Sequence, residues 1–318
     1  MKVLLTGATG FLGEHLMASL RARGHAVRAF VRETSRTAGL VDVEIARGAF
    51  DDRASLARSL EGIEAIVHAA GGGTGASAAE LERANTASTR ALLDAPAPAL
   101  RRFVLVSSLA AHGPSQRDRP ATERDPDAPR SIYGASKLAA ERAALERCET
   151  LEVVIVRPPA LYGPGEHRMV PLFRAARRGL VPMVHPRGTL SLLHGADCAD
   201  GIAGALGSDA ARGVYYLADP RVRERAELVE SVGRAVGRRV RIVPVPPSAL
   251  RLAAEIADVA RRAGRSLPLT RDKVADLSAE HQCCDATRAR TELGFVPRRE
   301  LDTGMRDAYQ DAVRRGWL

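Results

Sequence analysis

With 318 residues, 45% of them apolar, the chain is long enough for a sizeable core in one large α/β domain or two lobes. No uncharged run approaches the roughly 18 residues of a membrane span, and Met1 to Leu5 is too short an apolar stretch for a signal peptide, so a cytoplasmic protein with no membrane span is expected. The net charge of +9 is spread along an arginine-rich chain whose only lysines are Lys2, Lys137 and Lys273, which argues against a nucleic-acid surface; Cys148, Cys198, Cys283 and Cys284 lack zinc-site spacing, so no metal is expected.

In chain order, Lys2 to Leu5 reads as a strand that runs into Thr6-Gly7-Ala8-Thr9-Gly10-Phe11-Leu12-Gly13, followed by a helical pattern from Leu12 to Arg23. A G-x-x-G-x-x-G loop between a strand and an amphipathic helix predicts a dinucleotide site built by Gly7, Thr9, Gly10, Phe11, Leu12 and Gly13. Gly7 permits the tight turn, Gly10 admits the pyrophosphate to the backbone, Gly13 lets helix and strand pack, and the helix N-terminus offers free N–H groups to phosphate. A second strand, Ala26 to Val31, ends where an NAD-preferring site places a carboxylate for the ribose 2′-hydroxyl. Val31 stands there, followed by Arg32, Ser35 and Arg36, a donor-rich cluster suited to a 2′-phosphate, so NADP(H) is expected over NAD(H).

Further strands are predicted at Val43 to Ile45, Ala65 to His68, Phe103 to Val106 and Val153 to Val156, alternating with helices near Arg53 to Leu60, Ser77 to Asp94 and Ile132 to Glu146. Such alternation implies a Rossmann-type, doubly wound parallel sheet. Residues 1–160 are expected to form the NADP-binding domain with the catalytic groups. Residues 161–318, where Pro244, Pro246, Pro247 and Pro268 mark breaks, should form mainly a smaller substrate lobe, with some segments returning to the first domain.

The strand Phe103 to Val106 ends in Ser107-Ser108, and Tyr133-Gly134-Ala135-Ser136-Lys137 opens a helix. Four residues apart, Tyr133 and Lys137 project from one helical face. A tyrosine titrating near ~10 needs a shift of roughly 3 units, about 4 kcal/mol, to exchange protons near neutrality. One ammonium about 4 Å away at an effective dielectric of ~20 supplies an interaction of that size. Lys137 is therefore expected to lower the pKa of Tyr133.

These segments, together with Ser107-Ser108-Leu109-Ala110-Ala111-His112-Gly113, Arg157-Pro158-Pro159-Ala160-Leu161-Tyr162-Gly163-Pro164-Gly165 and the closing Asp285 to Pro297, resemble the extended short-chain dehydrogenase/reductases over nearly the full length. The resemblance implies that Ser108 orients a substrate carbonyl, that Tyr133 is the acid or base, and that Lys137 also holds the nicotinamide ribose. It implies that Asn85 lies near the nicotinamide side, that Ala69, Ala70 and Gly71 after His68 and Pro159 after the sixth strand line the cofactor cleft, and that a homodimer is formed through the helices Ser77 to Asp94 and Ile132 to Glu146. His194 and Asp197 match a helix start, where a capping role is expected. The family often has an aspartate for adenine after the third-strand glycine; Ala49 follows Gly48 here, which leaves the backbone or Asp51.

Within that family, nucleotide-sugar enzymes commonly carry an asparagine where Ala160 stands and an arginine where Leu190 stands. With both diphosphate contacts missing, and with apolar runs at Gly188 to Leu193 and on one helical face formed by Leu250, Leu252, Ala253, Ile256, Ala257 and Val259, the chain resembles the 3β-hydroxysteroid dehydrogenase and dihydroflavonol reductase branch. The resemblance implies reversible interconversion of a ketone and a secondary alcohol on a largely apolar small molecule. A nucleotide-sugar epimerase or dehydratase, and a non-catalytic NADP(H)-sensing regulator, are the alternatives.

Overall fold

The computed structural model describes the backbone of residues 1–262 and 270–318 and the side chains of 1–257 and 270–318; Pro268 and the side chain of Val259 lie outside the described residues. Strands β1 (Lys2–Thr6), β2 (Ala26–Val31), β3 (Glu44–Arg47), β4 (Ala65–His68), β5 (Arg102–Val106) and β6 (Glu152–Arg157) form a parallel sheet in the order β6-β5-β4-β1-β2-β3. A seventh strand, Gly213–Tyr216, returns from the second half of the chain and pairs in parallel with β6.

Both faces of this sheet are covered, so its inner strands are built on apolar runs whose successive side chains point to opposite cores, β2 being broken by the buried Arg28. Val3, Leu5, Val104 and Val154 pack on one side against Leu16 and Leu20 of helix Phe11–Ala22 and Ile202 and Leu206 of helix Gly195–Gly207. Leu4, Phe103, Leu105 and Ile155 pack on the other against Leu56, Leu60, Leu92 and Ala140. The third strand begins one residue later and ends two residues later than the apolar spacing predicts. It is a sheet edge, half open to water, held by an ion pair between Glu44 and Arg28 rather than by an apolar run.

The predicted helix Ser77 to Asp94 is one helical run from Ala78 to Asp94 whose middle, Glu82–Ala87, widens into π geometry. Ser77 starts it with a reciprocal cap to Glu80. The second half of the chain has its own core, in which Tyr162, Phe173, Leu192, Val229, Val232 and Met305 are buried together. Among the described residues three two-stranded ribbons frame this lobe, one of them pairing Ala160–Tyr162 with Leu192–His194 at the cleft. No described helix is long and apolar enough to cross a membrane.

One expectation about the lobe is corrected. Helix Pro247–Arg262 is amphipathic, but Leu252 and Ile256 are each 59% exposed, while Ala254 and Ala257 face inward, and none of these lines the central cavity. Similarly, Leu192 enters the lobe core and Leu193 the sheet core, so of the apolar run Gly188 to Leu193 it is Leu190, with Ser191, that reaches the cavity. For Leu192, Leu193, Ala254 and Ala257 the apolar side faces the protein's own core rather than a ligand.

Candidate active site

The strand order reverses between β1 and β4, and the cleft opens at the carboxyl ends of those two strands, where doubly wound sheets bind ligands. Gly7 sits there at φ +76°, and a Cβ on it would come 2.7 Å from the backbone of Ala69 and Ala70. A Cβ on Gly13 would lie 2.1 Å from the Gly7 carbonyl oxygen. Only glycine allows the turn, the second loop and the helix to close this tightly. Gly10 donates its N–H to the Gly7 carbonyl (3.0 Å) and heads helix Phe11–Ala22 with no side-chain cap, so the first turn keeps its N–H groups for an anion. This glycine cradle fits a dinucleotide pyrophosphate.

The floor of the cleft is held by a buried chain of hydrogen bonds. The Ala70 N–H donates to the Thr6 hydroxyl (3.1 Å), which pairs with His68 Nδ1 (2.7 Å); His68 Nε2 pairs with Ser88 Oγ (3.2 Å), whose own proton goes to the Ala84 carbonyl (2.7 Å). That direction leaves the proton on Nε2. Burial, aided by the charge of Lys137, pushes the His68 imidazole down to about 3, so it stays neutral. Asn85, in the π turn, accepts the Gly72 N–H (3.0 Å) and donates to Ser136 Oγ (2.8 Å), which donates to the Tyr133 carbonyl (2.7 Å). It thus ties the loop after β4 to the helix that carries Tyr133, and the widened turn brings it there.

Ser108, Tyr133 and Lys137 face one cavity of about 670 Å³, together with Gly7, Gly10 and Gly13. Ser131 caps helix Ile132–Leu145 by accepting the Gly134 N–H (3.0 Å), and Ser108 caps the short turn Leu109–Ala111 by accepting the Ala110 N–H (3.2 Å). A Cβ on Gly134 would lie 2.3 Å from the Ala110 carbonyl oxygen, so this glycine lets the helix start press against the serine turn. Tyr133 then lines the cavity beside Ser108, whose hydroxyl favours the ionised phenol.

The electrostatics differ from the expectation of a tyrosine acidified by lysine. Burial raises the proton affinity of the Tyr133 phenol, against the smaller lowering effects of the Ser108 hydrogen bond and the charge of Arg168. Lys137 is buried, donates Nζ to the Val106 carbonyl (3.0 Å), and is itself pushed down to about 8 by burial, opposed by the charge of Glu141. Desolvation is the largest influence on both groups, and each is driven toward its neutral form. The phenol therefore carries its proton at neutral pH.

Behind the cavity, the Ser107 hydroxyl donates to Glu141, and Arg157 donates to Glu141 (Nε, 2.8 Å), to Asp127 (2.7 and 2.8 Å) and to the Tyr216 hydroxyl (3.1 Å). Glu141 and Arg157 are both buried, and the network joins β5, β6, the Tyr133 helix and the seventh strand. Of the two serines that end β5, Ser107 is taken up by this network and Ser108 is left to Tyr133.

Of the sequence candidates, Gly7, Gly10, Phe11, Leu12, Gly13, Ala69, Gly71, Ser108, Tyr133, Lys137 and Pro159 line the cavity, whereas Thr9, Ala70, Asn85, Arg32, Arg36 and Asp51 do not. Arg32 and Arg36 are exposed, and their loop is clamped by Arg47, which donates to the carbonyls of Arg32 (3.3 Å) and Glu33 (2.9 Å). Asp51 is exposed beside Asp52, which caps the next helix. His194 caps helix Gly195–Gly207 through Nδ1, as its position suggested. Sequence reasoning missed Arg130, Arg168, Asp276 and Gln282, which also line the cavity; burial pushes the Asp276 carboxyl up to about 6.

A family model described as the NAD dependent epimerase/dehydratase family matches residues 3–218. The chain is 32% identical to ceramide reductase of Caulobacter vibrioides over 80% of this chain and 77% of that one. It is 30% identical to 2-alkyl-3-oxoalkanoate reductase of Stenotrophomonas maltophilia over 96% of this chain and 98% of that one. The fold matches the crystal structure of Thermus thermophilus UDP-glucose 4-epimerase in complex with NAD, with a TM-score of 0.77, 22% identity and full coverage of both chains.

Proposed function

Because this chain belongs to the NAD dependent epimerase/dehydratase family, as a member of the extended short-chain dehydrogenase/reductase type, we propose that it is an NADP(H)-dependent oxidoreductase interconverting a ketone and a secondary alcohol. The observation that carries the reading is that Ser108, Tyr133 and Lys137 share one cavity with the Gly7 to Gly13 cradle. Reductases among its relatives support the reaction class. A bound dihydronicotinamide supplies a hydride. Tyr133 gives its proton to the carbonyl oxygen, Ser108 holds that oxygen beside the phenol, and the Lys137 ammonium steadies the negative charge left on Tyr133. Leu109, Leu161, Met169, Leu190 and Leu277 offer apolar surface to the body of the substrate.

A panel assay following NADPH absorbance tests the reading. Consumption is expected with hydrophobic ketones; epimerisation of a UDP-sugar without net NADPH consumption overturns it in favour of a nucleotide-sugar enzyme.

The preference for NADP(H) rests on Arg32 and Arg36, which are exposed after β2 and form no ion pair among the described residues, and on the absence of a carboxylate at Val31. One charge-assisted contact to the 2′-phosphate, ~1.5 to 3 kcal/mol, corresponds to a preference of roughly ten- to a hundredfold. Calorimetric titration of both cofactors should show it, and Arg32→Ala should reduce it. Equal affinities in the unsubstituted protein rule the preference out.

The reduction should also lose rate as pH rises through about 8, where Lys137 gives up its charge, because the lysine is protonated below its lowered pKa and neutral above it. Tyr133 remains protonated over that interval, since its proton affinity is raised, so the loss is assigned to the lysine. A kcat/KM profile that stays flat to pH 10 would remove Lys137 from this role.

A further inference from the structure

Arg168 lies in the short turn His167–Met169 and lines the cavity with Ser108 and Tyr133, although nothing in the glycine loop or the Tyr133 to Lys137 motif points to it. Glu166, whose side chain is only 4% exposed, grips it three ways: it accepts the Arg168 backbone N–H (2.9 Å), Nε (3.0 Å) and Nη2 (2.6 Å). The Arg168 side chain nevertheless remains 69% exposed, so its orientation is fixed on one edge while Nη1 is left for a ligand. Such a held guanidinium is preorganised for a planar anion. Its charge also acts on the Tyr133 phenol, which lines the same cavity.

We infer that the substrate carries a carboxylate a few bonds from the reducible ketone, and that Arg168, aligned by Glu166, binds that carboxylate. The inference rests on the oxidoreductase reading above and names the substrate class as an apolar 3-oxo acid. In the forward step the dihydronicotinamide hydride goes to the keto carbon and the Tyr133 proton to its oxygen. The products are the 3-hydroxy acid and oxidised nicotinamide, and the carboxylate is unchanged. Glu166 already offsets the arginine charge, so the selectivity comes from directed hydrogen bonds and should be about tenfold rather than thousands.

The test uses a medium-chain 3-hydroxyalkanoate and its methyl ester, titrated by calorimetry into the full chain saturated with NADP⁺, alongside NADPH consumption with the matching 3-oxo compounds. The acid is expected to bind about tenfold more tightly than the ester, Arg168→Gln to bring the two to parity, and Arg168→Lys to restore part of the difference. Melting temperatures of both variants check that the turn still folds. Equal binding of acid and ester by the unsubstituted protein, an unchanged ratio in Arg168→Gln, or tighter binding of a UDP-sugar than of either probe overturns the inference. Failure of every ketone to consume NADPH overturns the oxidoreductase reading instead, while the acid-to-ester binding ratio still reports on Arg168.

Discussion

Tyr133→Phe is expected to fold, to bind cofactor with little change and to lose about 10²- to 10⁴-fold in turnover, the range that a positioned proton donor contributes. The substitution removes one hydroxyl from a ring whose place is set by other groups. Ser131 caps the helix, Gly134 lets it close on the Ala110 carbonyl, and Asn85 reaches the Tyr133 carbonyl through Ser136. What disappears is the proton that burial keeps on the phenol. Ser108→Ala should be milder, because the acid survives and only one contact to the carbonyl oxygen is lost. Steady-state kinetics on an accepted ketone, with cofactor affinity measured by calorimetry, separate the two effects. Near-normal turnover in Tyr133→Phe would mean that another group supplies the proton.

The largest effect on stability is expected from Arg157→Met. It leaves the Glu141 carboxylate, almost wholly buried, with the Ser107 hydroxyl as its remaining hydrogen-bond partner. Stranding one member of a buried ion pair typically costs about 3 to 5 kcal/mol, because the uncompensated charge stays out of water. Asp127 adds little to that cost, since it is a quarter exposed and can be hydrated. The double variant Arg157→Met/Glu141→Leu removes both buried charges and should recover most of the loss. Urea denaturation of the two variants measures this, and a loss below about 1 kcal/mol in the single variant contradicts the assignment of a costly buried charge. The double variant should also move the alkaline loss of rate to lower pH. Glu141 raises the pKa of Lys137, so removing it makes the lysine give up its proton sooner.

The sheet was legible because its central strands are buried on both faces, so β1, β4, β5 and β6 carry apolar runs, Val3 to Leu5, Ala65 to Val67, Phe103 to Val106 and Val153 to Val156, and β2 shows one broken only by the buried Arg28. The edge strand Glu44–Arg47 blurred that signal because one of its sides meets water. Gly213–Tyr216 has strand-forming residues, but its membership of the sheet depends on a return from the lobe across more than fifty residues, which no local pattern encodes.

The sequence by itself determined the glycine cradle and the Tyr133 and Lys137 pair, because a tight phosphate turn and a one-face helical pair are short-range geometry, written in spacings of three and four residues, while Ser108 was marked by the family resemblance. Only the tertiary structure decided that the Ser107 hydroxyl is tied to Glu141, that Asn85 braces a loop rather than lining the site, and that the apolar face carrying Leu252 and Ile256 points outward. It alone brought Arg168, thirty-five positions beyond Tyr133, to the same cavity, and it set the direction in which the tyrosine and lysine shift. The physical reason is common to all of these. Burial and long-range contact fix the desolvation and the partners of each polar group, and those depend on which distant segments fold against it.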